Sequence, residues 1–267
     1  MAKIIAIANQ KGGVGKTTTS VNLAASLSAT RRRVLLADLD PQGNATMGSG
    51  IDKSALDHSS YDVLMSNAEI NQAIVKAQEA GYDLLPANSD LTAAEVELLS
   101  ITHRERQLRI ALDMITDSYD YILIDCPPSL NMLTVNALVA ARAVLIPMQC
   151  EYYALEGLTA LINTIEQIRS TLNPDLKIEG LLRTMYDPRN RLSYDVTQQL
   201  QKYFGDRLYR TVIPRNIRLA EAPSHGVPAL VYDKMSRGAQ AYLALAGEIV
   251  RREQQPVSDS QPQVSTV

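Results

Sequence analysis

The chain has 267 residues, of which 46% are hydrophobic and 21% charged, and its formal net charge is −3. That length suits one large α/β domain or at most two small ones, and the composition is that of an ordinary globular protein. A globally basic nucleic-acid binder is excluded, so any contact with a polyanion must come from a local patch.

No run approaches the roughly 18 consecutive apolar residues of a membrane-spanning helix, and no charged, apolar leader opens the chain. The only cysteines are Cys126 and Cys150, each inside an apolar run. That spacing fits buried, reduced thiols in a cytosolic protein rather than a disulfide or metal framework. Trp is absent and there is one Phe, so an aliphatic core with Tyr as its large rings is expected.

Ile4–Ala8 reads as a buried strand, and Ser20–Ala29 as a helix with Val21, Leu23, Ala24 and Leu27 at helical spacing. Between them stands Asn9–Thr19, NQKGGVGKTTT. A strand, a glycine-rich turn and a helix start make a phosphate cradle, because the glycines let successive N–H groups point inward and the helix N-terminus adds positive charge. Gly12, Gly13, Val14, Gly15, Lys16, Thr17 and Thr18 supply the cradle, with Lys16 reaching the terminal phosphates and the Thr17 hydroxyl ligating Mg²⁺. The ordinary P-loop has a glycine where Gln10 stands, and this loop carries an additional lysine, Lys11.

Val34–Ala37 is a second apolar run, ending in Asp38, and Gly43–Gly50 reads as loop. Tyr61–Met65 and Glu69–Ala80 read as short helical pieces, Tyr82–Pro86 as a strand, and Leu91–Ile115 as one long charged helix. Tyr121–Ile124 and Ala143–Pro147 are buried strands, and Leu155–Leu172 is a helix with Pro174 just beyond it. Ile178–Leu182 and Tyr209–Ile213 are strands flanking a helix over Tyr194–Phe204, and Pro228–Val231 reads as a last strand. Ser236 caps a final helix to about Glu253, and Gln254–Val267 reads as a disordered polar tail. The alternation predicts a single-domain α/β fold over 1–253, a mostly parallel twisted sheet covered by helices on both faces. Ligands in such sheets sit at the carboxyl ends of the strands.

Asp125 ends a buried strand, where a Walker-B acid holds Mg²⁺ and accepts from Thr17. Asp38 and Asp40 end the second strand, and a period of 2 points both carboxylates to one side. Between Arg183 and Arg218 eight basic residues face three acids in an otherwise acidic chain. This asymmetry suits sequence-independent, salt-sensitive contact with a double-stranded phosphate backbone, with Arg189, Arg191 and Arg218 as the candidates. No aromatic residues interleave as a single-strand platform requires. His58, His103 and His225 lack any ligand spacing.

KGGVGKTTT, then DLDPQGN (Asp38–Asn44), then ILIDCPPS (Ile122–Ser129), resembles the deviant Walker-A ATPases and, within them, the ParA/Soj chromosome- and plasmid-partitioning proteins. The resemblance implies an ATPase, weak unless stimulated, whose ATP- and Mg²⁺-bound form is a face-to-face homodimer. It implies that Lys11 reaches the partner subunit's ATP, that Asp40 orients the attacking water, and that Asp38 supports the metal shell. Pro214, Arg215 and Asn216 match the family's adenine-holding loop, with Met185 adding an apolar contact. No N-K-x-D guanine motif is present, which favours ATP over GTP. Glu151–Gly157 (EYYALEG) matches a segment expected at the dimer face or near the partner's nucleotide.

The expected partners are non-specific DNA and a ParB/Spo0J-type centromere-binding protein, and the expected location is the cytoplasm, on the nucleoid. The QPQVSTV end lacks the basic amphipathic helix of a MinD-type membrane ATPase, and the P-loop strand starts too early for an N-terminal helix-turn-helix domain. The alternative reading is a related ATPase that positions a chemosensory or polar complex instead of DNA.

Overall fold

The computed structural model describes residues 1–152 and 154–254. Its centre is an eight-stranded sheet: β1 (Lys3–Ile7), β2 (Val34–Asp38), β3 (Val75–Ala77), β4 (Tyr82–Leu85), β5 (Tyr121–Asp125), β6 (Ala143–Gln149), β7 (Lys177–Tyr186) and β8 (Leu208–Pro214). The order is β3-β4-β2-β5-β1-β6-β7-β8, and every pairing is parallel except β3 with β4. Parallel strands buried on both faces must be apolar at nearly every position, as the Val-, Ile- and Leu-rich runs of β1, β2 and β5 are.

Alternation divides those strands between two cores. Ile4, Ala6, Leu35, Ile122 and Val144 pack beneath α3 (Ser60–Leu64), α5 (Leu91–Glu97), α6 (Gln107–Asp113), α7 (Met132–Ala140), α8 (Ala154–Thr171) and α9 (Arg191–Phe204). Ile5, Ile7, Leu36, Leu123 and Leu145 face α1 (Lys16–Ala29), α10 (Ile217–Glu221), α11 (Ala229–Tyr232) and α12 (Arg237–Gln254). Ile5 and Ile7 are completely buried, each contributing about 1.5–3 kcal/mol. Two further short helices among the described residues are α2 (Asn44–Gly48) and α4 (Ile70–Ala73). The fold is therefore the single-domain, helix-covered P-loop architecture expected, with all the parallel strands ending on one edge.

Several segments depart from the reading of the sequence. Gly43–Gly50 contains the helix α2, begun by Gly43 at φ +60, where a Cβ would meet the Ala87 carbonyl at 2.8 Å. Glu69–Ala80 is not one helical piece: it divides at Ile74, whose extended backbone hands α4 over to β3, the antiparallel edge. The Leu91–Ile115 helix is broken where Ile101 is extended and His103 takes a left-handed φ of 56°. Helix α7 was not anticipated, because MLTVNALVA is apolar on nearly every side and shows no helical stripe.

Pro228–Val231 is helical rather than a strand. Pro228 sits at the N-cap of α11, and the Ala229 N–H donates to Asn22 Oδ1 of α1 at 2.8 Å. The final helix starts as expected, with the Ala239 N–H donating to Ser236 Oγ at 3.2 Å. The predicted tail lies outside the described residues apart from Gln254, the last residue of α12.

Candidate functional site

The P-loop leaves β1 and is pinned at both ends by buried polar side chains. Asn9 donates through Nδ2 to the Pro147 carbonyl of β6 at 2.7 Å, and its Oδ1 accepts from the Lys11 N–H at 2.9 Å. At the loop tip the Val14 carbonyl accepts from Thr184 Oγ1 of β7 at 2.7 Å. Gly13 and Gly15 take φ of +73 and +85, a left-handed backbone that a side chain would strain. The helix α1 starts at Lys16 directly behind Gly15, so its first-turn N–H groups, those of Thr17 and Thr18 among them, open onto the loop.

The two lysines of the loop do different things. Lys16 is 7% exposed and donates to the Lys11 carbonyl at 3.2 Å, and burial lowers its pKa against the opposing pull of Asp125, Cys126 and Asp40. Its ammonium thus sits at the base of the loop, near the carboxylates of Asp125 and Asp40. Lys11 turns outward, half exposed, and pairs with Glu151 just past β6.

The acids stand on neighbouring strand ends. Asp38 and Asp125 are register partners on β2 and β5, both fully buried. Asp125 accepts from Thr17 Oγ1 at 2.8 Å and from Ser20 Oγ at 2.7 Å. Burial, with the neighbouring Asp38 charge second, pushes its carboxyl up to about 8. Asp38 is pushed up to about 6, again chiefly by burial, although it accepts from Thr46 N–H and Oγ1 and from the Asp40 N–H. Two buried acids this close disfavour a second negative charge, and a divalent cation relieves that conflict.

The Asp38 oxygens are taken up within the chain, holding α2 through Thr46 and the backbone of Asp40. The strand ends at Asp38, so a period of 2 does not carry to Asp40, which is placed instead by this 3.1 Å backbone bond and by the Gln42 N–H. Among the described residues no cluster of three or more His, Cys, Asp or Glu forms a cation cage.

The carboxyl ends of β7 and β8 lie side by side, with Tyr186 opposite Pro214. Met185, at a left-handed φ of 48°, therefore stands next to the Pro214–Asn216 loop, on the same edge as the P-loop that Thr184 tethers. Asn216 caps α10, its Oδ1 accepting from the Arg218 N–H at 3.1 Å.

A family model described as an AAA domain matches residues 2–178. The sporulation initiation inhibitor protein Soj of Bacillus subtilis is 54% identical over 249 residues, covering 93% of this chain and 98% of Soj. The chromosome partitioning protein ParA of Caulobacter vibrioides is 53% identical over 253 residues, covering 94% of this chain and 95% of that one. The chain belongs to the ParA/Soj family. Among solved structures, one from Mycobacterium smegmatis with bound ADP and magnesium is 39% identical, with a TM-score of 0.84 and 96% of each chain covered. That protein is described as a cobyrinic acid a,c-diamide synthase, a name that says nothing of this chain's own chemistry.

On this ParA/Soj chain the basic residues do not form one uniform patch. Arg183, counted with the others in the sequence, is buried. Its guanidinium donates to the Tyr209 carbonyl at 2.9 Å and lies 5.5 Å from the Tyr186 ring centre, so it holds β7 to β8 instead of facing solvent. Arg189 and Arg191 are exposed where β7 passes into α9. Arg218 is exposed on α10, on the adjoining strand's exit. No helix among the described residues is long and apolar enough to cross a membrane.

Sequence reasoning missed Asn9 as a tether, and it also missed Thr184, Ser20 and Thr46. The only signal available was that polar residues interrupt buried apolar stretches, which marks them as bonded without naming the partner.

Proposed function

We propose that this ParA/Soj chain is a nucleotide-switched partition ATPase. ATP with Mg²⁺ closes two copies face to face, the dimer binds double-stranded DNA without sequence preference, and hydrolysis stimulated by a ParB/Spo0J-type partner releases it on the nucleoid. The observation that carries the reading is the division between the two lysines: Lys16 buried over the cradle, Lys11 turned out at its rim. The Mycobacterium smegmatis relative supports it, since its structures carry ADP or an ATP analogue with magnesium.

The bound cofactor supplies a phosphoanhydride bond and a cation that neutralises charge as that bond breaks. Gly12, Gly13, Val14, Gly15 and Thr18 offer backbone N–H groups to the phosphates, and Lys16 exchanges the Lys11 carbonyl for a phosphate oxygen. Thr17 and Asp125, which already meet, would hold Mg²⁺, with Asp38 supporting them, and the cation would supply charge neutralisation at the phosphates. Asp40 accepts a hydrogen bond from the attacking water and so orients it. Lys11 leaves Glu151 to place its charge on the partner's nucleotide, a point charge acting as an arginine finger does. Met185, Pro214 and Asn216 enclose the adenine, and Arg215 borders it.

The test is co-sedimentation with DNA in ATP, ADP and no nucleotide, at several salt concentrations. DNA retained only with ATP and lost as salt rises is the expected result. An ATP-dependent dimer that ignores DNA at every salt concentration overturns the DNA step and points to a different cargo.

A further inference from the structure

Two of the arginines assigned to DNA do not project freely. Arg189 is clasped by Asp187 through both arms of its guanidinium, Nε to Oδ1 at 3.0 Å and a terminal nitrogen to Oδ2 at 2.8 Å. The Arg189 N–H also donates to Asp187 Oδ1 at 3.0 Å, and Pro188 between them fixes the backbone. The pair persists although the Arg189 side chain is 88% exposed. Arg218 is held by Glu221 at 2.7 Å and by Asp233, from the far end of α11, at 3.4 Å. Its guanidinium carbon lies 5.9 Å from the Tyr232 ring centre, and the Tyr232 hydroxyl contacts the same Glu221 oxygen at 3.4 Å.

We infer that Asp187 and the Glu221–Asp233 pair occupy, in the free subunit, the places that DNA phosphates take in the complex, so that binding is an exchange of anions and stays readily reversible. The inference rests on the reading of this surface as the DNA-binding one. A two-armed guanidinium–carboxylate pair has the same fork geometry as a guanidinium–phosphate pair, so one anion replaces the other without rearranging the arginine. Both loops leave adjoining strand ends, where Tyr186 stands opposite Pro214, so the two exchanges take place on one edge of the sheet. Hydrogen bonds from Arg189, with Arg215 adding its charge, hold the Asp187 carboxyl down to about 2, which keeps this stand-in anion ionised at every working pH.

The consequence concerns turnover. Neutralising n phosphates through free arginines gives steep, tight binding, whereas each exchanged pair first surrenders an existing partner. An ATP-gated protein that must leave DNA after hydrolysis gains from that compensation. Exposed ion pairs are worth little individually, so each carboxylate is expected to hold affinity down by only about two- to five-fold.

The test measures fluorescence anisotropy of a labelled random-sequence duplex with the full-length protein and a slowly hydrolysed ATP analogue. Asp187→Asn and Glu221→Gln are each expected to bind about two- to five-fold tighter at low salt, with the gain shrinking as salt rises. Asp195→Asn removes an exposed acid of α9 and serves as the control for net charge; a gain equal to that of Asp187→Asn overturns the inference. In an Arg189→Ala background Asp187→Asn should lose most of its gain, since the carboxylate's main partner is gone; a gain as large as in the wild-type background also overturns it. Wild-type binding with no response to either substitution refutes the exchange alone. No wild-type binding at any salt concentration refutes the DNA reading together with it.

Discussion

Thr184→Val tests how the phosphate loop is held. The substitution is nearly isosteric, and both Thr184 and the Val14 carbonyl it serves are buried, so its main effect is to remove the 2.7 Å bond from Oγ1. A buried acceptor left without its donor costs about 1–3 kcal/mol. If the bond holds the loop tip in its phosphate-binding shape, that cost appears as roughly 5- to 150-fold weaker binding of ATP with Mg²⁺. Isothermal titration calorimetry measures the affinity, and a thermal melt of the nucleotide-free protein measures the general loss, at roughly 2–4 °C per kcal/mol for a chain of this size. Unchanged nucleotide affinity with a lowered Tm refutes the reasoning, because the bond then serves the core and not the loop.

Asp40→Ala should give ATP-dependent dimers whose hydrolysis falls by about 100-fold or more, seen as phosphate release; wild-type turnover removes Asp40 from the mechanism. Glu151→Gln frees Lys11 of its partner within the subunit and should lower the protein concentration needed for the ATP-bound dimer by a few-fold, read by sedimentation. A higher concentration would instead assign Glu151 to the interface itself. Burial raises Asp125 from an unfolded 3.8 to about 8, so the folded nucleotide-free chain retains a proton that the unfolded chain has released. That contribution is complete below about pH 4 and is lost as pH rises through 8. Between pH 6 and pH 8 the wild-type Tm should therefore fall relative to that of Asp125→Asn, and parallel melting curves would contradict the raised value.

The nucleotide site was legible because its chemistry is local. KGGVGKTTT lies between an apolar strand and a helix, and ILID ends in an acid where a parallel strand must emerge, so sequence alone placed Lys16, Thr17 and Asp125 on one edge. What holds the site was not legible, because Thr184 reaches Val14 from 170 residues away and Asn9 reaches Pro147 from 138. Arg183 shows the complementary error: a count of charges cannot tell an exposed arginine from one buried between β7 and β8. The misread segments each have a local cause. Pro228–Val231 is too short for periodicity to separate strand from helix, and its outcome was settled by Asn22 of α1. The 91–115 segment has helical composition throughout, and the left-handed turn at His103 breaks it without a glycine or proline as a marker.

In the proposed cycle triphosphate closes two copies of this chain and Lys11 crosses between them. Sedimentation equilibrium in saturating slowly hydrolysed ATP analogue and Mg²⁺ measures it directly, with Lys16→Ala as the control for the cradle. A dimer is expected for the wild type and a monomer for both Lys16→Ala and the wild type in ADP; a wild-type protein that remains monomeric with the analogue bound contradicts closure by triphosphate.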